Sequence, residues 1–330
     1  MLLVGDMGGT KTVLAVFSAE GGPHKPLVEF TFPSAHYPSL EAIIQEFLAK
    51  VNLPVDGACF GVAGPIFAGK AHITNISWEI DEANLKAMFG WKKVKLINDL
   101  QSVGYAIPIL EPADIYTLSA GKPVAGGAIA VLAPGTGLGE GFLTCGWDGN
   151  YTAHASEGSH VSFGPTDELQ MGLLTYLRER KGYDHVSYER VCSGGLGIPN
   201  LYSYLKDTGY APEPAWLAEQ LAGCDDPSPV IFKAAQDQTN PCELCAATLR
   251  MFVSILGAEA GNLALKVMAS GGIYLGGGIS PRILSSLNEP SFLNTLRNKG
   301  RFAEMLSNMP VHVILNAKAG LLGAAAYGLR

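Results

Sequence analysis

The sequence predicts an α/β protein of two lobes, and three observations lead there. The chain has 330 residues, more than one core of ordinary size needs, since domains run to roughly 100–200 residues. A pattern of apolar strand, glycine-rich turn and apolar strand occurs twice, once at the start and again near Gly135. Amphipathic helices alternate with apolar strands, the arrangement in which helices cover a sheet. A cleft between the lobes is the expected place for a ligand.

The elements follow in order. Leu2-Leu3-Val4 and Val13–Phe17 flank the turn G-D-M-G-G-T-K-T and predict a hairpin with an unusually rich loop. Ser39 precedes Leu40, Ile43, Ile44, Phe47, Leu48 and Val51 at helical spacing, which predicts a capped helix. Ala58–Val62 reads as a buried strand. Lys93–Ile97 reads as a second one, ending at Asn98-Asp99 where a helix begins. The second lobe starts at about Tyr116. There Ala128–Ala133 and Gly141–Thr144 flank the turn Pro134–Gly139, and a long helix runs from about Leu244 to Val267. Gly272–Ile279 is a strand and a further glycine turn. Ser280-Pro281 predicts a serine cap with proline at the first helical position. From about Asn316 the tail predicts a helix of small residues that packs closely on a neighbour. The expected division is 1–111 with 316–330 in a small lobe and 112–315 in a large one, although pattern alone does not return the tail to the first lobe.

Composition excludes several classes. With 23 Lys+Arg against 30 Asp+Glu the formal charge is −7, and no basic cluster exists to displace counterions from a nucleic acid. No basic start with an apolar run marks an export signal. The uncharged stretch Pro123–Gly139 is broken by Gly and Pro, which favours a buried strand and turn over a membrane span. A cytoplasmic protein with neither nucleic-acid nor membrane partner is the expectation. Cys59, Cys145, Cys192, Cys224, Cys242 and Cys245 stand in apolar contexts and read as reduced, buried thiols. Cys242 and Cys245 have zinc-knuckle spacing, but no second pair completes four ligands, so no structural zinc is expected.

Several groups carry chemistry. Asp6, Gly8, Gly9, Thr10 and Lys11 combine backbone N–H groups for an anion with a hydroxyl, a cation and a carboxylate. Asp6 would hold Mg²⁺, through water, because that ion keeps part of its hydration shell. No G-x-x-x-x-G-K-[ST] and no G-x-G-x-x-G occurs, so P-loop and dinucleotide readings lose support. Gly135, Thr136 and Gly137 form a second candidate phosphate clamp, with Thr136 donating to a phosphate oxygen. An ordinary hairpin turn would account for either set of glycines alone; their pairing favours a nucleotide held by both. Asp99, at a helix start, is a candidate general base toward a hydroxyl, kept ionised by the helix dipole, with Asn98 as a neutral partner. As a helix cap Asp99 would need no function. Glu157, His160 and Glu189 supply acceptors and donors of the kind adjacent sugar hydroxyls require.

Together these residues resemble the bacterial ATP-dependent glucokinase family, within the actin-like (ribonuclease H-like) sugar kinase superfamily. The resemblance runs nearly end to end, through G-D-M-G-G-T-K-T, I-T-N-I-S-W around Asn75, L-I-N-D-L, A-P-G-T-G-L-G, H-A-S-E-G-S-H, Y-E-R-V-C-S-G-G and L-G-G-G-I. It implies a two-lobed fold with a cleft, and ATP-dependent phosphorylation of glucose at the C6 hydroxyl. Asp99 would be the base; Asn98, Glu157, His160 and Glu189 would hold the other hydroxyls. Asp6, Gly8, Gly9, Thr10, Gly135 and Thr136 would surround the phosphates and Mg²⁺, with Gly276, Gly277 and Gly278 near the adenosine. A homodimer is implied as well. Lys11 stands where many of these glucokinases carry Asn, a choice shared with the related repressor/kinase group, yet the cysteine-rich zinc segment of that group does not follow His160. The competing readings are a kinase for mannose, fructose or an amino sugar, a donor other than ATP, and a non-catalytic sugar sensor. The sensor needs a DNA-binding module, for which Met1, almost at the first strand, leaves no room.

Overall fold

The computed structural model describes residues 1–73 and 76–330, so Asn75, within one of the quoted motifs, lies outside the described residues. The chain divides into two units, one of Met1–Asp114, Gly146–Ala155 and Asn316–Arg330, the other of Ile115–Cys145 and Ser156–Leu315. Each carries its own sheet and its own core.

In the first unit the strands lie in the order Val28–Pro33, Lys11–Phe17, Leu2–Met7, Gly57–Val62, Lys93–Asn98. Lys11–Phe17 is antiparallel to both of its neighbours, joined to Leu2–Met7 by a tight turn where Gly8 N donates to Lys11 O at 3.0 Å. The last two run parallel to Leu2–Met7 and so need crossovers. The helix Leu40–Lys50 lies in the first of these, capped by Ser39 Oγ, which accepts from Ala42 N. It buries Leu40, Ile43, Ile44 and Phe47 in a core shared with Phe60 and Trp78, each such side chain worth roughly 1.5–3 kcal/mol. The tail helix Ala319–Gly328 belongs to this unit and packs on the helix Asp99–Ala106. Its small residues make that possible: a Cβ at Gly323 would overlap the Ser102 carbonyl, and one at Gly328 would lie 2.6 Å from a Leu2 methyl.

The second unit repeats the plan. Leu138–Cys145 and Ile129–Pro134 form an antiparallel pair, then Gly272–Leu275 and Val311–Ile314 follow in parallel, with Ile115–Ser119 antiparallel at the edge. Chain connectivity passes from one unit to the other within the strand Tyr151–Ser156. The 25-residue helix Glu243–Val267 is apolar and long enough to cross a membrane, but 83% of its most apolar stretch is buried in the fold. Leu249, Phe252, Val253 and Leu256 are spent on the core of this unit.

Two expectations change. Ser280 caps nothing: its hydroxyl donates to Gly276 O at 2.7 Å, and the segment Ser280–Ile283 is a 3-10 turn, because the glycine run before it brings that carbonyl within reach. The six cysteines form no disulfide among the described residues, but Cys224 is exposed and Cys145 half-buried, since both stand at element ends rather than on core faces.

Candidate active site

Asp99 is the first residue of its helix, and the cap is Asn98. Asn98 Oδ1 accepts from Leu100 N at 2.9 Å and Gln101 N at 3.3 Å, while Gln101 Oε1 accepts from Asn98 N, a reciprocal capping box. Asn98 Nδ2 donates to Gly64 O at 3.2 Å. Both ends of the Asn98 amide therefore hold backbone and fix the direction of Asp99. The Asp99 side chain is exposed, yet closely surrounded by protein. Desolvation, with the Asp6 charge adding to it, lifts its pKa to about 6 against the hydrogen bond from Leu100 N. The helix-dipole expectation is thus outweighed, and the group is poised near neutrality instead of strongly acidic.

Asp6 stands near the end of the first strand, its pKa raised by burial against the pull of Lys11. No hydrogen bond to its carboxylate occurs among the described residues. The turn beside it is braced from behind: Ser34 Oγ donates to Gly8 O at 2.8 Å, Ser34 and buried Thr12 share a hydrogen bond of 3.0 Å, and Ser34 N donates to Thr10 O. A Cβ at Gly8 would meet only Lys11 O, at 3.5 Å, so the fold itself does not demand glycine there. Among the described residues no group of three or more His, Cys, Asp and Glu converges as a metal cage. One free carboxylate beside an anion-sized turn fits Mg²⁺ held mainly by water and phosphate oxygens.

In the second unit Glu157, His160 and Glu189 come together. His160 Nε2 is 3.8 Å from Glu157 Oε2, and His160 Nδ1 is 3.6 Å from Glu189 Oε2. The first two sit on a 3-10 turn in which Gly158 N donates to Ser156 Oγ at 2.9 Å and His160 N to Glu157 O. Glu189 sits on a second such turn, held by Ser193 Oγ donating to Glu189 O and Asn200 Nδ2 to Arg190 O. Two carboxylates and an imidazole clustered this closely present acceptors and donors that suit neighbouring hydroxyls.

A cavity of about 490 Å³ lies alongside, within the same unit. Gly135 and Thr136 form one wall, Gly194 and Gly195 another, and Gly278, Ile279 and Arg282 a third, with Asp225–Pro229 and Phe232 closing it. Gly194 N and Gly195 N donate to Gly135 O and Thr136 O at 2.8 Å each. A Cβ on either Gly194 or Gly195 would crowd those carbonyls at 2.9 Å, whereas Gly135 and Gly278 have open space where a Cβ would go. Of the Gly276–Gly278 run only Gly278 lines the cavity. Gly277 serves the backbone, with φ of +73° and Pro134 where a Cβ would project. Gly137 faces the sugar-type cluster, 3.0 Å from Glu189 Oε1 to its would-be Cβ. Sequence reasoning missed Gly194, Gly195, Phe232 and Arg282; S-G-G-L-G was a readable glycine cluster, but Phe232 stands on an ordinary helix and Arg282 on the 3-10 turn Ser280–Ile283.

The glucokinase family model matches residues 3–330. The chain belongs to the glucokinase family. Over its whole length it is 40% identical to a glucokinase of Nostoc punctiforme, 99% of which is covered. The solved glucokinase of an Antarctic psychrotroph aligns with a TM-score of 0.81 at 34% identity, over 99% of this chain and 98% of that one. A ROK family glucokinase from Streptomyces griseus, solved with glucose and AMPPNP, aligns at 0.63 with 23% identity over 99% of both, which speaks for the fold. The protein is accordingly an enzyme, a glucokinase, built on the two-unit α/β sugar kinase fold.

Proposed function

We propose that this enzyme transfers the γ-phosphoryl group of Mg·ATP to the C6 hydroxyl of glucose, with Asp99 as general base. The observation that carries the reading is Asp99 itself, a carboxylate aimed by the Asn98 cap, accessible to a ligand and raised to about 6. A base poised near the working pH accepts a hydroxyl proton as the oxygen attacks. Glu157, His160 and Glu189 accept from and donate to the remaining hydroxyls, and Asn98 acts through Asp99, its amide being committed to the cap. The cavity between Gly135, Gly194 and Gly278 takes the nucleotide, with open glycines at the phosphates and Phe232 against an apolar face. A bound Mg²⁺ would neutralise charge on the phosphate oxygens, with Asp6 facing its hydration shell. We take the working form to be a cytoplasmic homodimer.

ADP release from Mg·ATP across a panel of hexoses, in wild type and Asp99→Asn, tests this. The variant keeps an oxygen for Leu100 N and loses the base. Turnover with glucose that falls about 10²–10⁴-fold with glucose binding retained is the expected result. Equal turnover by the variant would remove Asp99 from the mechanism; turnover with only another hexose would replace the sugar and keep the base.

A further inference from the structure

Glu140 lies in the strand Leu138–Cys145 with 1% of its surface exposed, and neither carboxyl oxygen has a hydrogen-bond partner among the described residues. Such a group costs stability and is retained where it does something. Its Oε2 lies directly beneath the turn that carries Glu157 and His160: a Cβ at Gly158 would overlap it. Only glycine lets that turn rest on the carboxyl.

The same buried floor reaches the other turn. Glu259, fully buried on the helix Glu243–Val267, accepts from Asn262 Nδ2 at 2.8 Å, and Nδ2 also donates to Tyr188 Oη at 2.9 Å. Tyr188 immediately precedes Glu189. Lys299 Nζ donates to Asn262 Oδ1 at 2.7 Å, and Lys266 Nζ stands 3.6 Å from Glu259 Oε1, itself without a hydrogen bond. Glu259, Lys266 and Cys192 are the titratable groups that interact with Glu140 inside the unit, and the turn that carries Glu157 and His160 packs on it at Gly158. Burial, and after it the Glu259 charge, raise the Glu140 pKa to about 8 against Lys266. Burial thus holds this carboxyl toward its neutral form, an uncharged support beneath the turn.

Resting on the sugar-binding role of Glu157, His160 and Glu189, we infer that Glu140 is a positioning residue, which sets the height of the Glu157–His160 turn relative to Glu189 and thereby the affinity for sugar. Ionised, it would repel Glu259 and demand solvation under Gly158, and the turn would lift. Wild type thus loses sugar affinity as the pH rises through about 8, with the nucleotide affinity unaffected.

The experiment compares wild type, Glu140→Gln and Glu140→Leu for kcat, KM for glucose and KM for ATP between pH 6 and 9, with thermal melts of each. Expected is a KM for glucose raised roughly tenfold in Glu140→Leu, short of the 10²-fold that a 1 Å misplacement can bring, with the KM for ATP unchanged. Glu140→Gln should restore the neutral support and abolish the alkaline rise in the KM for glucose. Equal changes in both KM values, or an alkaline rise that persists in Glu140→Gln, would overturn the inference. Should Glu140→Leu not fold, the pH profile of Glu140→Gln decides alone. If wild type instead turns over another hexose, the KM for that hexose is the readout and only the choice of sugar fails; no turnover with any hexose would sink the sugar-site reading, and this inference with it.

Discussion

The two units repeat one sheet plan and put different chemistry at the same place in it. In each, an antiparallel hairpin opens with a glycine turn and two parallel strands follow on the far side of its first strand. At the first turn Asp6 pairs with Val13 in the hairpin register; at the second the corresponding position is Ala133, paired with Gly139. One turn therefore carries a carboxylate and Lys11, while the other offers only backbone amides and the Thr136 hydroxyl. A carboxylate repels phosphate and attracts a cation, whereas uncharged donors do the reverse. The two turns thus differ in charge rather than in backbone plan.

Asp6→Asn should break that difference most severely. A residue that acts on a metal ion through its outer shell typically costs 10–100-fold in affinity or activity when removed. We expect kcat/KM to fall within that range and the Mg²⁺ concentration for half-maximal rate to rise, read from Mg²⁺ titrations at saturating glucose. An unchanged Mg²⁺ requirement would take the cation away from Asp6.

Glycine substitutions sharpen the second turn. Gly135 and Gly278 have open space at the Cβ position, so Gly278→Val should leave the melting temperature nearly unchanged, as for surface changes within about 0.5 kcal/mol. It should raise the KM for ATP several-fold by occupying nucleotide space. Gly277→Val faces the opposite outcome, because φ of +73° and the Pro134 carbonyl both exclude a side chain. Strain there costs about 1–3 kcal/mol, visible as a lowered melting temperature. Equal behaviour of the two variants would mean that the run serves the fold throughout.

How much of this was legible depended on whether a signal was local. Ser39 and the stripe Leu40–Phe47, the two hairpin turns, and the long helix around Phe252 could be read because each is written in consecutive residues. The close approach of the tail helix was legible in its Gly and Ala content, but its partner, the helix Asp99–Ala106, is about two hundred residues away in sequence and no pattern names it. The helix start at Asp99 was legible and its raised pKa was not: the start is local, whereas the burial and the Asp6 charge that raise it exist only once folding assembles them. Glu140 escaped notice for the same reason. In L-G-E-G-F it looks like a surface charge on a strand, and only the structure buries it beneath Gly158.

The smallest effect is a shift in pH dependence. As a base Asp99 must be ionised, so activity should fall as pH drops through about 6, the value to which desolvation and then Asp6 raise it. A cation at Asp6 would pull the limb lower. The sign for stability is the reverse: the folded state holds the Asp99 proton more tightly than the unfolded chain, so this group's contribution grows as pH falls from about 6 toward 3.8. Loss of activity on acidification should therefore precede loss of fold. Asp6→Asn removes a neighbouring negative charge, which lowers the Asp99 pKa and moves the acid limb of kcat/KM downward. Because desolvation, not the Asp6 charge, is the larger cause of the raised Asp99 pKa, the shift should stay below about one unit. Rate profiles from pH 5 to 8, taken for wild type and variant with circular dichroism at each pH, read both signs at once. An acid limb that moves upward in the variant would mean that the titrating group is not Asp99, and would return the search for the base to the sugar-facing carboxylates of the second unit.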